Sequence, residues 1–164
     1  MIITDKILSI LRSMSSIKTV MYDNNFSANQ RVDRAEMPGA LLYTNTDYNV
    51  NISKGYQKES CEVEIFFFDV AQFDSKGETK DIIVTNQSEI AKEFLAELLK
   101  DKSLRILSDD IKFKSCWGKW DKFVVGISLE FTIEEKQGSC LYIEPEPEPE
   151  PDYEPNEDNT QNEG

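Results

Sequence analysis

The chain contains no histidine. That removes the commonest general base and a frequent metal ligand, and with them every Ser-His-Asp or Cys-His arrangement. Its seven glycines are scattered, and none falls in a GxGxxG or GxxxxGK phosphate-cradling pattern. Cysteine is scarce: Cys61, Cys116 and Cys140 are an odd set without metal-ligand spacing, which points to free thiols in a reducing compartment. No apolar run approaches the length of a membrane span. The start, MIITDKILSILRS, lacks the basic beginning, long apolar stretch and small-residue cleavage site of a signal peptide. The expectation is a protein made in the cytoplasm, with no cofactor and no membrane partner.

Basic charge is also missing from one end. The chain holds 31 acidic and 18 basic residues, but nine of the acidic ones lie from Glu144 onward, where no Lys or Arg occurs. The first 143 residues therefore carry 18 basic and 31 − 9 = 22 acidic groups, a net of −4. Without a basic excess, specific nucleic-acid binding is not expected. Five of the six prolines fall in the same end, EPEPEPEPDYEPNEDNTQNEG. Alternating Glu and Pro supports neither a helix ladder nor a packed core, so residues 144–164 read as an extended, disordered acidic tail. Residues 1–143 read as one folded domain.

What is present in that domain is periodicity. In NQSEIAKEFLAELLKD, Asn86 stands as N-cap with Glu89 three residues on. Ile90, Ala91, Phe94, Leu95, Leu98 and Leu99 then recur at helical spacing, while Lys92, Glu93, Glu97 and Lys100 fall opposite. Thr4 to Met14 predicts a first amphipathic helix through Ile7, Ile10 and Leu11. Strands are expected at Ile17 to Tyr22, at Leu41 to Thr46, continued or restarted through Tyr48 to Ile52 before a Lys54-Gly55 turn, and at Ser60 to Val70. Leu104 to Leu107 fits a strand or a loop anchor, and Ile111 with Phe113 alternates with lysines before a turn at Cys116 to Asp121. The clearest strand runs through Phe123, Val125, Ile127, Leu129, Phe131 and Ile133, with Gly126 marking a bulge or a close backbone approach. Asp23 to Met37 and Ala71 to Asp81 read as polar loops. The sum is an α+β fold, a largely antiparallel or mixed sheet packed by two helices.

Few residues suggest chemistry. Asp109 and Asp110, with Asp121, form the single acidic cluster of the domain, without EF-hand spacing; a turn explains them better than a metal site. Cys116 has Lys114 and Lys119 near it in sequence, but fits a buried strand end better than a reactive thiol. Trp117 and Trp120 either stack a ligand together or cover the end of a sheet, the second being the commoner use. No catalytic, cofactor or metal residue is assigned. Phe66 and Phe68 occupy the strand face opposite Phe67, so either they meet a neighbouring subunit or the helix Thr4 to Met14 covers them. Arg31, Arg34, Lys76 and Lys80 are the cations of the two expected loops and stand as candidate partner or lumen contacts.

The order of elements resembles the tail terminator (tail completion) proteins and related neck proteins of long-tailed bacteriophages. The matching features are the helix Ile3 to Met14, the strand Lys18 to Tyr22, and the loop ending at Pro38 before Leu41-Leu42-Tyr43. They continue with the strand Glu62 to Phe68, the helix Ile90 to Leu99 and the closing strand Val124-Val125-Gly126-Ile127-Ser128-Leu129. The resemblance spans residues 1–135, and the Glu-Pro tail lies outside it. It implies a non-enzymatic virion protein: a ring, commonly a hexamer, made in the host cytoplasm and placed on the tail tube beneath head and neck proteins. A different class of reading makes the chain a cytoplasmic binding module that works through its acidic tail. A small enzyme using Asp109, Asp110 and Asp121 ranks last.

Overall fold

A computed structural model of the chain describes residues 2–44, 48–53, 56–72, 74, 76–107, 111–136 and 139–140. The fold is α+β. Its elements in order are helix α1 (Ile2–Ser13), strand β1 (Thr19–Asp23), helix α2 (Asn25–Arg31), a 3-10 turn (Val32–Arg34), β2 (Gly39–Tyr43), β3 (Tyr48–Ser53) and β4 (Tyr56–Val70). They continue with α3 (Gly77–Lys100), β5 (Leu104–Ile106), β6 (Lys112–Lys119), β7 (Val124–Glu135) and β8 (Ser139–Cys140).

Among the described residues all eight strands belong to one sheet built around the β4–β7 pair. Strands β2 and β3 lie end to end along one side of β4, β2 on Ile65–Phe68 and β3 on Tyr56–Cys61. Along the other side run β7 and, at the tip, β8. Strands β5 and β6 both pair with the outer side of β7. Strand β1 pairs with β2 in parallel, and every other pairing is antiparallel, so the sheet is mixed.

The period of two along β4 divides the interior into two cores. On one face Cys61, Val63, Ile65 and Phe67 join Ile127, Leu129, Phe131 and Ile133 of β7. Helix α1 closes this core with Ile3, Ile7 and Leu11, and α3 with Ala91, Phe94 and Leu98. On the other face Met21, Leu41, Tyr43, Phe66, Phe68 and Val124 pack under Ala28 and Val32 of α2 and the 3-10 turn. Gly126 faces the carbonyl of Phe67; a Cβ there would sit 2.0 Å from that oxygen, so the close approach expected from the sequence is present.

Several sequence expectations need correction. Helix α3 begins at Gly77 rather than Asn86, so the Asn86–Glu89 capping box falls inside a helix and caps nothing. The cap position is Lys76, which offers no side-chain bond; β-branched Ile82, Ile83, Val84 and Thr85 hid the earlier turns by their weak helix propensity. Leu99, placed on the apolar stripe, is 69% exposed. The expected loop Asp23 to Met37 contains α2, whose N-cap Asn24 accepts the Ser27 amide at 3.0 Å. Among the described residues the sheet is thus packed by three helices rather than two. Strand β4 starts at Tyr56, earlier than Ser60. Strand β6 continues through Cys116-Trp117-Gly118-Lys119 with a register shift between Trp117 and Lys119, and the turn follows at residues 120–123. Gly118, at the register shift, and Trp120, in the turn, both adopt positive φ, 67° and 66°.

Candidate interaction site

Phe66 and Phe68 are both fully buried within the single chain, which removes them as a subunit contact. Their cover is not α1, which lies on the opposite face, but α2 and the turn after β6. The two rings stack on each other at 5.4 Å between centroids, and Trp120 meets both edge-on at 5.6 and 5.3 Å. The bulge in β6 turns Lys119 to the same face. Its ammonium lies 4.7 Å from the Phe66 ring centroid and 4.9 Å from that of Tyr43, and it hydrogen-bonds the Tyr43 hydroxyl. That hydroxyl donates in turn to Asn25 Oδ1 at 3.0 Å. Burial, reinforced by the nearby Glu64 carboxylate, raises the Tyr43 pKa well above its ordinary value, so the phenol stays protonated. The group is a packed polar knot that fixes α2 to the sheet.

Of the four candidate cations, Arg31 and Lys80 lie on helices, Arg34 in the 3-10 turn and Lys76 at the cap of α3. Arg31, in the last turn of α2, pairs with Asp23 at 2.7 Å. Arg34 is exposed in the 3-10 turn, and both arginines border a cleft of about 240 Å³ lined also by Thr19, Met21, Gln30 and Ala35. The Asp23 carboxylate offsets the Arg31 charge at the cleft. Lys76 is exposed at the α3 cap, and Lys80 lies with its ammonium 4.9 Å from the Phe123 ring centroid. The structure does not bring the two pairs together: Arg31 and Arg34 flank the α2 face, while Lys80 belongs to the α3 side.

Trp117 and Trp120 do not form a platform. Trp117 is 52% exposed on the α3 side and Trp120 packs in the opposite core. Cys116 lies within β6, partly buried against the α2-side core. Asp121 accepts from Asn29 Nδ2 at 2.7 Å, while its backbone N–H donates to Asn29 Oδ1 at 2.8 Å. Asp109 and Asp110 lie outside the described residues, as do the Lys54-Gly55 turn and the acidic tail. Among the described residues no cluster of three His, Cys, Asp or Glu side chains is placed to hold a metal.

Beyond the helix-covered cores, β3 and the first part of β4, joined at the tip by β8, form an arm. Among the described residues β3 pairs with β4 alone, leaving its outer edge open. Val50 and Ile52 on it are 52% and 68% exposed. Val50 lies opposite Glu59, two residues before Cys61, so both side chains fall on the face that α1 and α3 cover further up. The outer edge of β6 is likewise open among the described residues. Its exposed Phe113 and Trp117 lie opposite Leu129 and Val125, on that same face. Of these four residues the sequence singled out Trp117 alone, and with Trp120 rather than Phe113, because apolar residues alternating along a strand signal a core.

The opposite face of the sheet carries charge near the arm. Glu134 receives Arg105 and, at 3.0 Å, Lys58. Burial alone would raise its pKa, but these hydrogen bonds and charges outweigh that and hold it below the ordinary value. Lys114 binds Glu130 at 2.5 Å, and Ser128 donates to Glu64 at 2.9 Å.

No family model matches this chain, and no curated protein matches it significantly in sequence.

Proposed function

We propose that the chain is a structural subunit that assembles with copies of itself into a ring at the end of a phage tail tube, as a tail terminator or head-tail joining protein. The observation that carries this reading is the sheet left open along β3 and β6 among the described residues, with Val50, Ile52, Phe113 and Trp117 exposed on one face. An unpaired edge with apolar side chains is a template for another strand, and stable monomers normally blunt it. Head-to-tail contacts repeated around an axis close into a ring. The resemblance of the element order to that of tail terminator and neck proteins supports such a role. In that ring the acidic tail belongs on the outer rim, where nine like charges do not crowd a channel.

Light scattering and negative-stain imaging of the full chain, alone and with assembled tail tubes, test the proposal. Annular particles, free or seated on tube ends, are expected. A chain that stays monomeric at high concentration and ignores tube ends overturns the reading.

A further inference from the structure

The two edges of the sheet that stand open among the described residues match each other. Along the route β3, β4, β7, β6 every pairing is antiparallel, so β3 and β6 run in opposite directions. A second copy in the same orientation, set beside β6, therefore presents its β3 antiparallel, the slightly more stable ladder. The faces agree too. Val50 and Ile52 on β3 and Phe113 and Trp117 on β6 are exposed on the α3 side. Asn49 and Asn51 lie on the other side, as do Lys112 and Lys114. Among the described residues β1 flanks β2 alone, so the slot beside β3 is open over all six of its residues. The regular part of β6, residues 112–117 before the register shift, has the same length.

We propose that the β3 edge of one copy pairs antiparallel with the β6 edge of a neighbouring copy, so that the sheet runs on from subunit to subunit. The inference rests on the self-assembly reading above and names its contact. Apolar side chains of the two strands then cover each other on one face, and on the other uncharged asparagines receive lysines. Self-pairing of either edge fits less well. Two β6 edges would crowd Lys112 and Lys114 of both copies onto one face. Two β3 edges would leave Phe113 and Trp117 in water. β3 itself, YNVNIS, has neither charge nor proline, the usual protections of an edge strand. The contact is head-to-tail, each copy giving β3 to one neighbour and β6 to another. β3 flanks residues 56–61 of β4, whereas β6 flanks the part of β7 that pairs with residues 64–70. Each joint is therefore staggered along the strands, as closing a sheet around an axis with tilted strands requires.

Sedimentation velocity on full-length chains tests this with two substitutions at exposed sites, Val50→Asp on β3 and Phe113→Asp on β6. Wild type is expected to assemble with concentration, and each variant to sediment as a monomer with unchanged far-UV circular dichroism. If Phe113→Asp loses structure, Ser115→Asp, at an exposed polar site on the same strand, replaces it. An equal mixture of the β3 and β6 variants should form dimers and nothing larger, because one productive contact remains. Hydrogen exchange of wild type should show residues 48–53 and 112–117 gaining protection together as concentration rises. A wild type that is monomeric at every concentration, variants that assemble as wild type does, or a mixture that stays monomeric overturns the edge pairing. So does dimerisation of the β6 variant alone, the mark of β3 pairing with itself. Full protection of residues 48–53 in the monomer, which puts their second partner within the copy, overturns it as well. Rings on tube ends formed by both variants would leave the tail-end function standing, whereas paired edges without tube binding would leave the contact and remove the function.

Discussion

Strand β4 passes through two environments. From Cys61 to Phe68 it has helices on one face and, around Phe66 and Phe68, on both, so its four residues Ile65 to Phe68 are wholly buried. From Tyr56 to Ser60 it pairs with β3 beyond both cores, and apolar residues of that arm stand in water. The backbone ladder is the same in both halves. Cover makes the difference: where α1, α2 and α3 reach, apolar side chains supply stability, and where they do not, apolar side chains such as Val50 and Ile52 stay exposed.

A charge inserted into each half should break that comparison most clearly. Phe68→Glu places a carboxylate in a fully buried aromatic site without a partner, and loss of cooperative folding is expected. Ile52→Glu should leave the fold intact. Chemical denaturation of the two variants decides, and similar unfolding midpoints would remove the distinction. Next in size, Phe94→Ala and Ile127→Ala open cavities beneath α3, at about 3–5 and 2–5 kcal/mol. Gly126→Ala drives a methyl against the Phe67 carbonyl and should cost about 1–3 kcal/mol by overpacking, read from the same denaturation curves.

A smaller effect concerns pH. The depressed Glu134 pKa stabilises the folded chain above the ordinary carboxylate pKa, and this contribution is lost as pH falls through the lower folded-state value. Glu134→Gln should therefore be less stable than wild type at neutral pH and lose less stability on acidification, as followed by thermal melts across the acid range. Smallest of all, removing residues 144–164 should leave the melting temperature of the monomer nearly unchanged, since that segment has little apolar surface to offset its ordering entropy.

Periodicity in the sequence determined most of the frame: α1, the later turns of α3, the alternation of β7, and the division of Phe66 and Phe68 from Phe67. Each is a local pattern whose spacing matches its own element. Tertiary structure alone decided what covers each face. Helix α2 buries only Ala28 and, just past its end, Val32, too thin a stripe to stand out among asparagines, yet it seals the second core. The β-branched early turns of α3 and the extension of β6 through Gly118 became regular because packing on the sheet overrode weak local preference. The same reason applies to the candidate site. Alternation says that Val50 and Ile52 share a face, but whether that face is core or open edge depends on where distant helices end, which no local spacing records.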